Sequence, residues 1–349
     1  MNDTRSVRAA FVRQGGGVEL RLVPRPAQEK GSIAVRMKAS GICGTDLEKL
    51  TGKNITSSVL GHEVSGVVVE SGSEKFSMGD RIVPHHHVAC GKCDLCTAGA
   101  GTMCKGFWES NFVPGGFADE FLVPEYNVSH GGVHKISNRL SFEEASFAEP
   151  LGCCLRGLKR VTVGRNALRS VLVVGAGPIG LLHMELLRSY FPEVKIVAVD
   201  VLKARLDFAE KMEHAETLDA SKVAQGSFSV ESLRYAPSGF DLAIVATGNP
   251  SAFGEAIRSV RKSGLVLLFG APHKGSTYSL DLANFFLSEI SIASSYSTTE
   301  DELAESIELL ESGRIKVKKF ITATYPLEKV EEAMASARSE TQVKVIVTN

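Results

Sequence analysis

The stretch Val171-Leu-Val-Val-Gly-Ala-Gly-Pro-Ile-Gly180 joins an apolar run to the glycine pattern GxGxxG. A strand, this pattern and a following helix together indicate a turn that binds a dinucleotide. Gly175 can make the tight turn, Gly177 lets the backbone approach a pyrophosphate, and Gly180 permits close packing of the helix. The alternative interpretation is a strand-to-helix turn that binds no nucleotide.

The residues around and beyond the pattern extend the nucleotide interpretation. Pro178 and Ile179 begin the predicted helix, whose amino terminus would face the phosphates. Asp200 follows Gly180 by 20 residues, at the end of the next apolar run. A carboxylate in this position accepts hydrogen bonds from the two ribose hydroxyls of NAD and repels the 2′-phosphate of NADP. The sequence therefore favours NAD.

Apolar runs of strand type alternate with helical stretches through the middle of the chain. Runs begin at Val171, Lys195, Asp241 and Leu265, and a further run lies at about residues 290–293. This alternation is typical of an α/β fold with a doubly wound parallel sheet. We expect residues 153–294 to form this NAD-binding domain.

The rest of the chain has a different pattern. Short β-type runs separated by glycine and other turn residues fill the first 150 residues, as in a mostly antiparallel, partly barrel-like domain. Residues 300–313 and 328–338 are predicted to be helical, and residues 343–348 to form a last strand. Because the six-stranded parallel sheet is already complete, we expect this tail to return to the first domain. That domain would then comprise residues 1–152 and 295–349.

Four cysteines lie within 15 residues, namely Cys90, Cys93, Cys96 and Cys104. Their spacing lets four thiolates converge on one tetrahedral ion at about 2.3 Å. A site filled by sulfur is closed to water and substrate, so we expect a structural zinc. Disulfides are the alternative, which a reducing cytosol disfavours. A four-iron cluster is another, but the last spacing fits neither common ferredoxin pattern.

The composition limits the classes of partner. The chain of 349 residues has 39 basic and 40 acidic side chains, without the basic excess of a nucleic-acid-binding protein. No apolar run reaches the ~18 residues needed to span a bilayer, and the segment Met1-Asn-Asp-Thr4 shows no secretory pattern. We therefore expect a cytoplasmic protein that acts on a small molecule and binds neither nucleic acid nor membrane.

A second set of candidate metal ligands is dispersed along the chain. Cys43 lies in the segment GICGTD, His62 and Glu63 lie in the segment GHE, and Glu149 precedes a proline. One sulfur, one imidazole and one or two carboxylates would leave a position open for water or a substrate oxygen, as a catalytic zinc requires. Each residue also has a simpler interpretation, since a buried cysteine is usually a small apolar side chain and a His-Glu pair usually lies on the surface.

Together these motifs resemble those of the zinc-dependent medium-chain alcohol and polyol dehydrogenases, close to the sorbitol and threonine dehydrogenase branches. The resemblance covers nearly the whole chain. It rests on motifs in the family's order: Gly41-Ile-Cys-Gly-Thr-Asp46, Gly61-His-Glu63, Gly79-Asp-Arg81, the cysteine segment, Gly115-Gly-Phe-Ala118, Glu149-Pro-Leu151 and the glycine pattern. It implies a GroES-like, mostly antiparallel β catalytic domain, a Rossmann NAD-binding domain, and a homodimer or homotetramer.

The resemblance also implies roles for individual residues. The catalytic zinc would be bound by Cys43, His62 and Glu149, with Glu63 as a ligand in some states or as a support for one. With the cysteine lobe, this gives two Zn²⁺ per chain.

Four more residues receive roles from the resemblance. Asp46 would accept a hydrogen bond from His62 and fix its tautomer, and Thr45 would begin the proton relay. Arg205 would cover the adenine, although a solvated helix arginine is an equal alternative, and Thr247 would contact the cofactor.

The implied reaction is oxidation of a secondary alcohol to a ketone. Zinc would act as a Lewis acid and NAD would take the hydride. Glu149 stands where other branches have a cysteine or an aspartate, which favours a polyol, sugar alcohol or cyclitol. L-threonine 3-dehydrogenase is the nearest alternative. An NAD-binding sensor without turnover is an alternative of another class, which the presence of every expected ligand and of Thr45 disfavours.

The run His85-His86-His87 directly precedes the cysteine segment. One of these imidazoles could reach the substrate. However, adjacent residues of a strand point alternately to opposite faces, so we expect the three side chains not to share one site.

Overall fold

The structure, a computed structural model, describes residues 5–51, 59–162, 168–213, 215–223 and 227–349. The chain divides into two compact units. Unit 1 consists of Met1–Gly152 and Thr298–Asn349, and unit 2 of Cys153–Ser297. The chain therefore leaves unit 1, forms unit 2 and returns, with the return at residue 298 where the sequence suggested 295.

The described residues form strands and helices throughout both units. The strands are β1 (Ser6–Val12), β2 (Val18–Pro24), β3 (Ile33–Gly41), β4 (Glu63–Ser71), β5 (Arg81–Pro84), β6 (Glu120–Val123), β7 (Val133–Lys135), β8 (Ser170–Val174), β9 (Lys195–Asp200), β10 (Glu216–Asp219), β11 (Phe240–Val245), β12 (Val260–Leu268), β13 (Ser291–Ser294), β14 (Ile321–Pro326) and β15 (Lys344–Thr348).

The helices are α1 (Gly44–Lys49), α2 (Asp94–Thr97), α3 (Lys105–Glu109), α4 (Glu125–Ser129), α5 (Phe142–Ala145), α6 (Ala148–Thr162), α7 (Pro178–Tyr190), α8 (Lys203–Glu213), α9 (Phe228–Ser232), α10 (Pro250–Ser259), α11 (Leu282–Ser288), α12 (Glu300–Glu311) and α13 (Val330–Ala337). Short 3₁₀ turns lie at Gly101–Met103, Lys318–Phe320 and Leu327–Lys329. Within the described residues, no helix is both long and apolar enough to cross a bilayer.

Unit 1 is built on a mostly antiparallel sheet. Its strands follow the order β14-β15-β3-β4-β5-β7, β6 pairs with β3, and β1 pairs with β2 in a separate hairpin. Only β14 and β15 run parallel among these pairs. Buried aromatic and aliphatic side chains, among them Phe112, Phe117 and Phe121, form its core. The predicted antiparallel β domain is therefore present.

The pairing in unit 1 explains how distant residues meet. The carboxyl end of β3 lies beside the amino end of β4, with Gly41 opposite Glu63. The carboxy-terminal strand β15 pairs with the same end of β3, where Ile346 lies opposite Gly41. The residues that follow β3, those that precede β4 and those of β15 therefore lie close together, where β3 ends and β4 begins.

Unit 2 is a parallel sheet with the order β10-β9-β8-β11-β12-β13. All of its neighbouring strands run parallel. Every residue of β11 is buried, as expected for a strand covered on both faces. The reversal of order beside β8 is the arrangement of a doubly wound dinucleotide-binding fold, so the predicted α/β architecture is confirmed.

Candidate metal centres and nucleotide-binding turn

The four cysteines of residues 90–104 lie together in unit 1, where Cys93 precedes α2 and Cys104 precedes α3. Their sulfur atoms all lie within 4.8 Å of one another. Cys96 Sγ is 3.6 Å from Cys93 Sγ and 3.9 Å from Cys90 Sγ. A tetrahedral zinc with bonds of about 2.3 Å separates its sulfur ligands by roughly 3.8 Å. The thiols are free rather than paired in disulfides, so this donor set fits zinc.

The environment of these thiols also fits a cation. Although burial opposes ionisation of Cys104, backbone N–H groups of Cys90 and Phe107 lower its pKa to about 6. Burial and the neighbouring thiols of Cys93 and Cys104 raise the pKa of Cys96 to about 12. One thiolate therefore forms readily, and further thiolates beside it need a positive charge at the centre.

A second donor group lies at the junction of β3 and β4. Ligand atoms of Cys43, His62 and Glu63 lie within 4.8 Å of one another. Cys43 is the residue before α1, and His62 directly precedes β4. Gly61 enters β4 with φ +77°, and a Cβ atom there would lie 2.5 Å from Phe117 N. Only glycine can make this turn, so the local backbone fixes the position of His62.

Asp46 supports both donors. Its fully buried carboxylate accepts hydrogen bonds from the backbone N–H of Cys43 and of Gly61, each at 3.1 Å. His62 Nδ1 lies 3.7 Å from Asp46 Oδ1. Burial would raise the pKa of Asp46, but His62 and these donors hold it below 3.8. Burial would lower the pKa of His62, but Asp46 and Cys43 raise it well above 6.5. A carboxylate at Nδ1 leaves Nε2 for a metal.

Lys344 was not indicated by the sequence. This residue of β15 is buried, and its ammonium group pairs with Glu63 and donates a hydrogen bond to Ile42 O at 3.0 Å. A Cβ atom at Gly41 would overlap the Glu63 carboxylate and lie 2.7 Å from Lys344 Cε. Gly41 therefore makes room for the ion pair. The only sign of this ion pair in the sequence is a lysine among apolar strand residues. Its partner, Glu63, lies 281 positions earlier in the chain.

Glu149 is buried and lies in a third group. Ligand atoms of His85, His86 and Glu149 fall within 4.8 Å of one another. This group adjoins the second one, because the rings of His62 and His86 have centroids 4.9 Å apart. Burial lowers the pKa of Lys344, whereas the charges of Glu63, Cys43 and Glu149 raise it. Glu149 therefore acts electrostatically on Lys344, as Cys43 does, although its carboxylate lies in the donor group of His85 and His86 and not in that of Cys43 and His62.

The expectation that the three histidines diverge is not met for the first two. Strand β5 ends at Pro84, so the alternation of a strand no longer applies to His85 and His86. The ring of His87 also lies against His86, with centroids 4.1 Å apart, but its Nδ1 contacts the carbonyl oxygen of Ser110 at 2.7 Å. Thr45, the expected relay residue, is exposed on the first turn of α1.

In unit 2 the glycine pattern forms the turn between β8 and α7. Gly175 has φ +101°, a conformation that favours glycine. A Cβ atom at Gly180 would lie 1.9 Å from Gly175 O, so this glycine is required for the helix to pack against the turn. Gly177 is the residue before α7, and Pro178 and Ile179 are its first two residues. The helix amino terminus is therefore open to an anion.

Asp200 ends β9 and reaches back to this turn. Its Oδ2 accepts a hydrogen bond from Ala176 N at 2.8 Å, and its Oδ1 accepts one from Leu202 N at 2.9 Å. Arg205 Nη1 lies 3.9 Å from Asp200 Oδ2. Thr247, which follows β11, accepts a hydrogen bond from Asn249 N at 3.4 Å. The structure thus brings Asp200 and Arg205 to the glycine turn, with a carboxylate suited to ribose hydroxyls.

Two family models match the chain. The Alcohol dehydrogenase GroES-like domain matches residues 29–133, and the Zinc-binding dehydrogenase model matches residues 178–312. They cover parts of unit 1 and unit 2 and confirm the predicted combination of GroES-like and Rossmann folds.

Individual proteins resemble the chain over nearly its full length. Probable D-xylulose reductase A of Aspergillus terreus is 28% identical over 352 residues, covering 97% of each chain. Sorbitol dehydrogenase of Bacillus subtilis is 26% identical over 342 residues, covering 95% of this chain and 94% of the relative. A solved structure of a zinc-binding dehydrogenase from Sinorhizobium meliloti 1021, bound to NADP, has a TM-score of 0.87 and 26% identity, covering 99% of this chain and all of the other.

Proposed function

Because this chain belongs to the zinc-dependent medium-chain alcohol and polyol dehydrogenases, we propose that it oxidises a secondary alcohol bearing several hydroxyl groups with NAD, reversibly giving a ketone. The chain is an oxidoreductase that uses zinc and a nicotinamide dinucleotide. The observation that carries the proposal is the convergence of Cys43, His62 and Glu63 where β3 ends and β4 begins, with Glu149 in the adjoining donor group.

Zinc, when bound, supplies Lewis-acid polarisation of the substrate oxygen. Cys43 and His62 would hold it, with Asp46 keeping the His62 ring in place. Of the two nearby carboxylates, Glu63 is neutralised by Lys344, which leaves Glu149 as the carboxylate donor that the resemblance implies. A donor set of one sulfur, one nitrogen and one oxygen fits a zinc site with an open fourth position.

Thr45 would take the substrate's proton at its Oγ1. The residue lies two positions after Cys43 and exposes its side chain, so a proton received there can pass to solvent. Thr45→Val removes the hydroxyl and nearly preserves the shape. The variant should keep its zinc and lose turnover roughly 10²–10⁴-fold, the usual range for a proton-transfer residue. Full activity in Thr45→Val would remove this residue from the mechanism.

NAD is the proposed dinucleotide because Asp200 places a carboxylate beside the glycine turn. The cofactor would lie against Gly175, Gly177 and Gly180, with Arg205 beside the adenine. The kcat/KM for NAD should exceed that for NADP in the wild type, and Asp200→Ser should reduce this preference. A higher kcat/KM for NADP would contradict the proposal.

The substrate class rests on the named relatives. D-xylulose is a ketose and sorbitol is a polyol, and the relatives named for them align with almost the entire chain. The test is NADH formation with a panel of polyols, cyclitols, simple secondary alcohols and L-threonine, on protein of known zinc content. A polyol or cyclitol signal supports the proposal, and a signal with L-threonine alone replaces it with L-threonine 3-dehydrogenase. No turnover by zinc-loaded protein with any of them would contradict the substrate class.

A second copy of this chain is the proposed protein partner. Strand β13 is an edge strand of the unit 2 sheet. Helix α11, just before it in the chain, has three exposed apolar side chains: Leu282, Phe286 and Leu287, with exposed fractions of 72%, 78% and 73%. Large exposed apolar side chains beside a sheet edge are typical of an interface. A twofold dimer would cover the same surface on both chains.

A reducing compartment such as the cytoplasm is the proposed location. None of the seven cysteines is paired in a disulfide, and four of them lie at the separation of metal ligands. Zinc binding by cysteine requires the thiolate, which an oxidising compartment would convert to disulfides. Fractionation of cells should find the zinc-loaded chain with cytoplasmic markers, and recovery from an exported fraction would contradict the location.

A further inference from the structure

His85, His86 and Glu149 form a compact group of metal donors beside the Cys43 site. Their exposed fractions are 0%, 9% and 7%, so the group is buried. His85 Nε2 and His86 Nδ1 are buried nitrogen atoms without a hydrogen-bond partner in the structure. Burying a polar atom without a partner is energetically unfavourable. These two nitrogen atoms therefore lack the partners that native packing normally provides.

The orientation of His85 favours a metal as the missing partner. Its Nδ1 lies 3.2 Å from Oε1 of Glu300, the first residue of α12. A carboxylate at Nδ1 holds the hydrogen on that nitrogen and leaves the Nε2 lone pair free. Most metal-bound histidines have such a carboxylate or carbonyl acceptor at the nitrogen that does not bind the metal.

The backbone of the group is fixed. Asn127 is fully buried, and its Nδ2 donates hydrogen bonds to the carbonyl oxygens of His85 and His86, each at 2.9 Å. His85 N donates to Gly132 O at 2.7 Å. These contacts fix the backbone that carries both imidazoles. Bound zinc would separate its nitrogen and oxygen donors by roughly 3.4 Å, so the three side chains need only small rotations.

We propose that His85, His86 and Glu149 bind a further divalent ion of the Zn²⁺ or Co²⁺ type, in addition to the ions of the cysteine lobe and the Cys43 site. Two imidazoles and one carboxylate are a donor set that zinc takes in proteins. Glu149 has two carboxylate oxygens, so it can serve the new site and the Cys43 site together. The proposal goes beyond the proposed function and requires neither substrate nor NAD.

The test is metal stoichiometry of the full chain, prepared without a histidine tag. After removal of metal, the protein is dialysed to equilibrium against buffered Zn²⁺ of increasing concentration, and bound zinc per chain is measured. Wild-type protein should reach three zinc per chain. His86→Asn should stop at two, and His273→Asn, the control at an exposed histidine of unit 2, should still reach three. Two zinc in the wild type, or three in His86→Asn, would overturn the proposal.

Glu300→Gln provides a variant that leaves every ligand in place. Loss of the carboxylate at His85 Nδ1 should raise the zinc concentration needed for the third binding step roughly 10–100-fold, without changing the other two steps. Cys43→Ala should lose the zinc-binding step of the Cys43 site and retain the step assigned to His85, His86 and Glu149. This separates the new site from the proposed catalytic site. An unchanged third step in Glu300→Gln would show that the supporting contact has no role in binding.

Discussion

At the scale of single residues, Lys344 is the cation that makes the buried carboxylate of Glu63 tolerable. Removing one partner of a buried ion pair leaves an uncompensated charge and costs about 3–5 kcal/mol. Lys344→Met should therefore lower the free energy of unfolding by about this amount in urea titrations of the zinc-loaded chain. The double variant Glu63→Gln/Lys344→Met should recover much of the loss. Equal losses in the single and double variants would show that the pair does not matter to stability.

The same pair has a defined dependence on pH. Burial lowers the pKa of Lys344, but Glu63, Cys43 and Glu149 raise it above the ordinary 10.5. The folded pKa exceeds the unfolded one, so the stability that the charge contributes is complete below pH 10.5 and is lost as the pH rises through the folded pKa. The difference in the free energy of unfolding between wild type and Lys344→Met should therefore shrink only in that alkaline range.

Cys43 gives a prediction that separates catalysis from nucleotide binding. Cys43→Ala should abolish turnover and reduce bound zinc by one per chain, because the site loses its sulfur donor. NADH binding, measured by its fluorescence, should be unchanged, since the glycine turn belongs to unit 2. Cys153→Ala, at a cysteine outside the three donor groups, is the matched control. Retained turnover in Cys43→Ala would exclude this cysteine as a catalytic ligand.

At this scale, residues within short motifs could be predicted and their distant partners could not. The cysteine spacing and the glycine pattern each carry their chemistry within a few positions. Lys344, Asn127 and Glu300 support residues that lie 41 to 281 positions away. Their roles depend on strand pairing, which a short pattern does not specify.

At the scale of elements, Asp241 joins three strands of the parallel sheet. Its Oδ2 accepts hydrogen bonds from Arg169 N and Ser170 N at 2.7 and 3.0 Å, and Arg261 Nε donates to its Oδ1 at 2.7 Å. Asp241→Asn should lower the free energy of unfolding by about 1.5–3 kcal/mol at neutral pH. Asp207→Asn, in an exposed ion pair with Lys203, should change it by less than about 1 kcal/mol.

The pKa of Asp241 determines how the stability of the protein changes as the pH falls. Burial raises that pKa, but Arg261 and the backbone donors of β8 hold it below 3.8. The stabilisation is present above this value and disappears as the pH falls through the folded pKa. Urea titrations across the acid range should show the wild type converging on Asp241→Asn. If the difference in the free energy of unfolding between wild type and Asp241→Asn stayed constant down to the lowest pH, the charge of Asp241 would not be the source of this stabilisation.

Helix and strand identity could be predicted better than boundaries. The helical stretch expected between the apolar runs at Asp241 and Leu265 is α10, which ends at Ser259 because the chain enters β12 at Val260. Asn249 begins it by accepting a hydrogen bond from Ser251 N. Helices α2 and α3, of four and five residues, lie beside the zinc-binding cysteines predicted from the sequence and are too short to give a repeating apolar pattern.

At the scale of the whole molecule, the exposed surface of α11 predicts self-association. Phe286→Glu should place a charge in the dimer interface on both chains and shift sedimentation toward the mass of one chain. Val230→Glu, at another exposed apolar residue of unit 2, should leave the association unchanged. Wild-type protein that sediments as a monomer, or a dimer that survives Phe286→Glu unchanged, would contradict this interface.

The insertion of unit 2 within unit 1 affects how the protein is made. A ribosome adds about 5–20 residues per second, and it completes unit 2 before it synthesises β14 and β15. Until β15 emerges, the carboxyl end of β3 lacks its partner strand and Glu63 lacks the ammonium group of Lys344. Unit 2 can thus fold during translation before the Cys43 end of β3 in unit 1 receives strand β15. A premature stop shortly before Lys344 would therefore yield a nascent protein with a finished nucleotide-binding unit and an unstable metal-binding one.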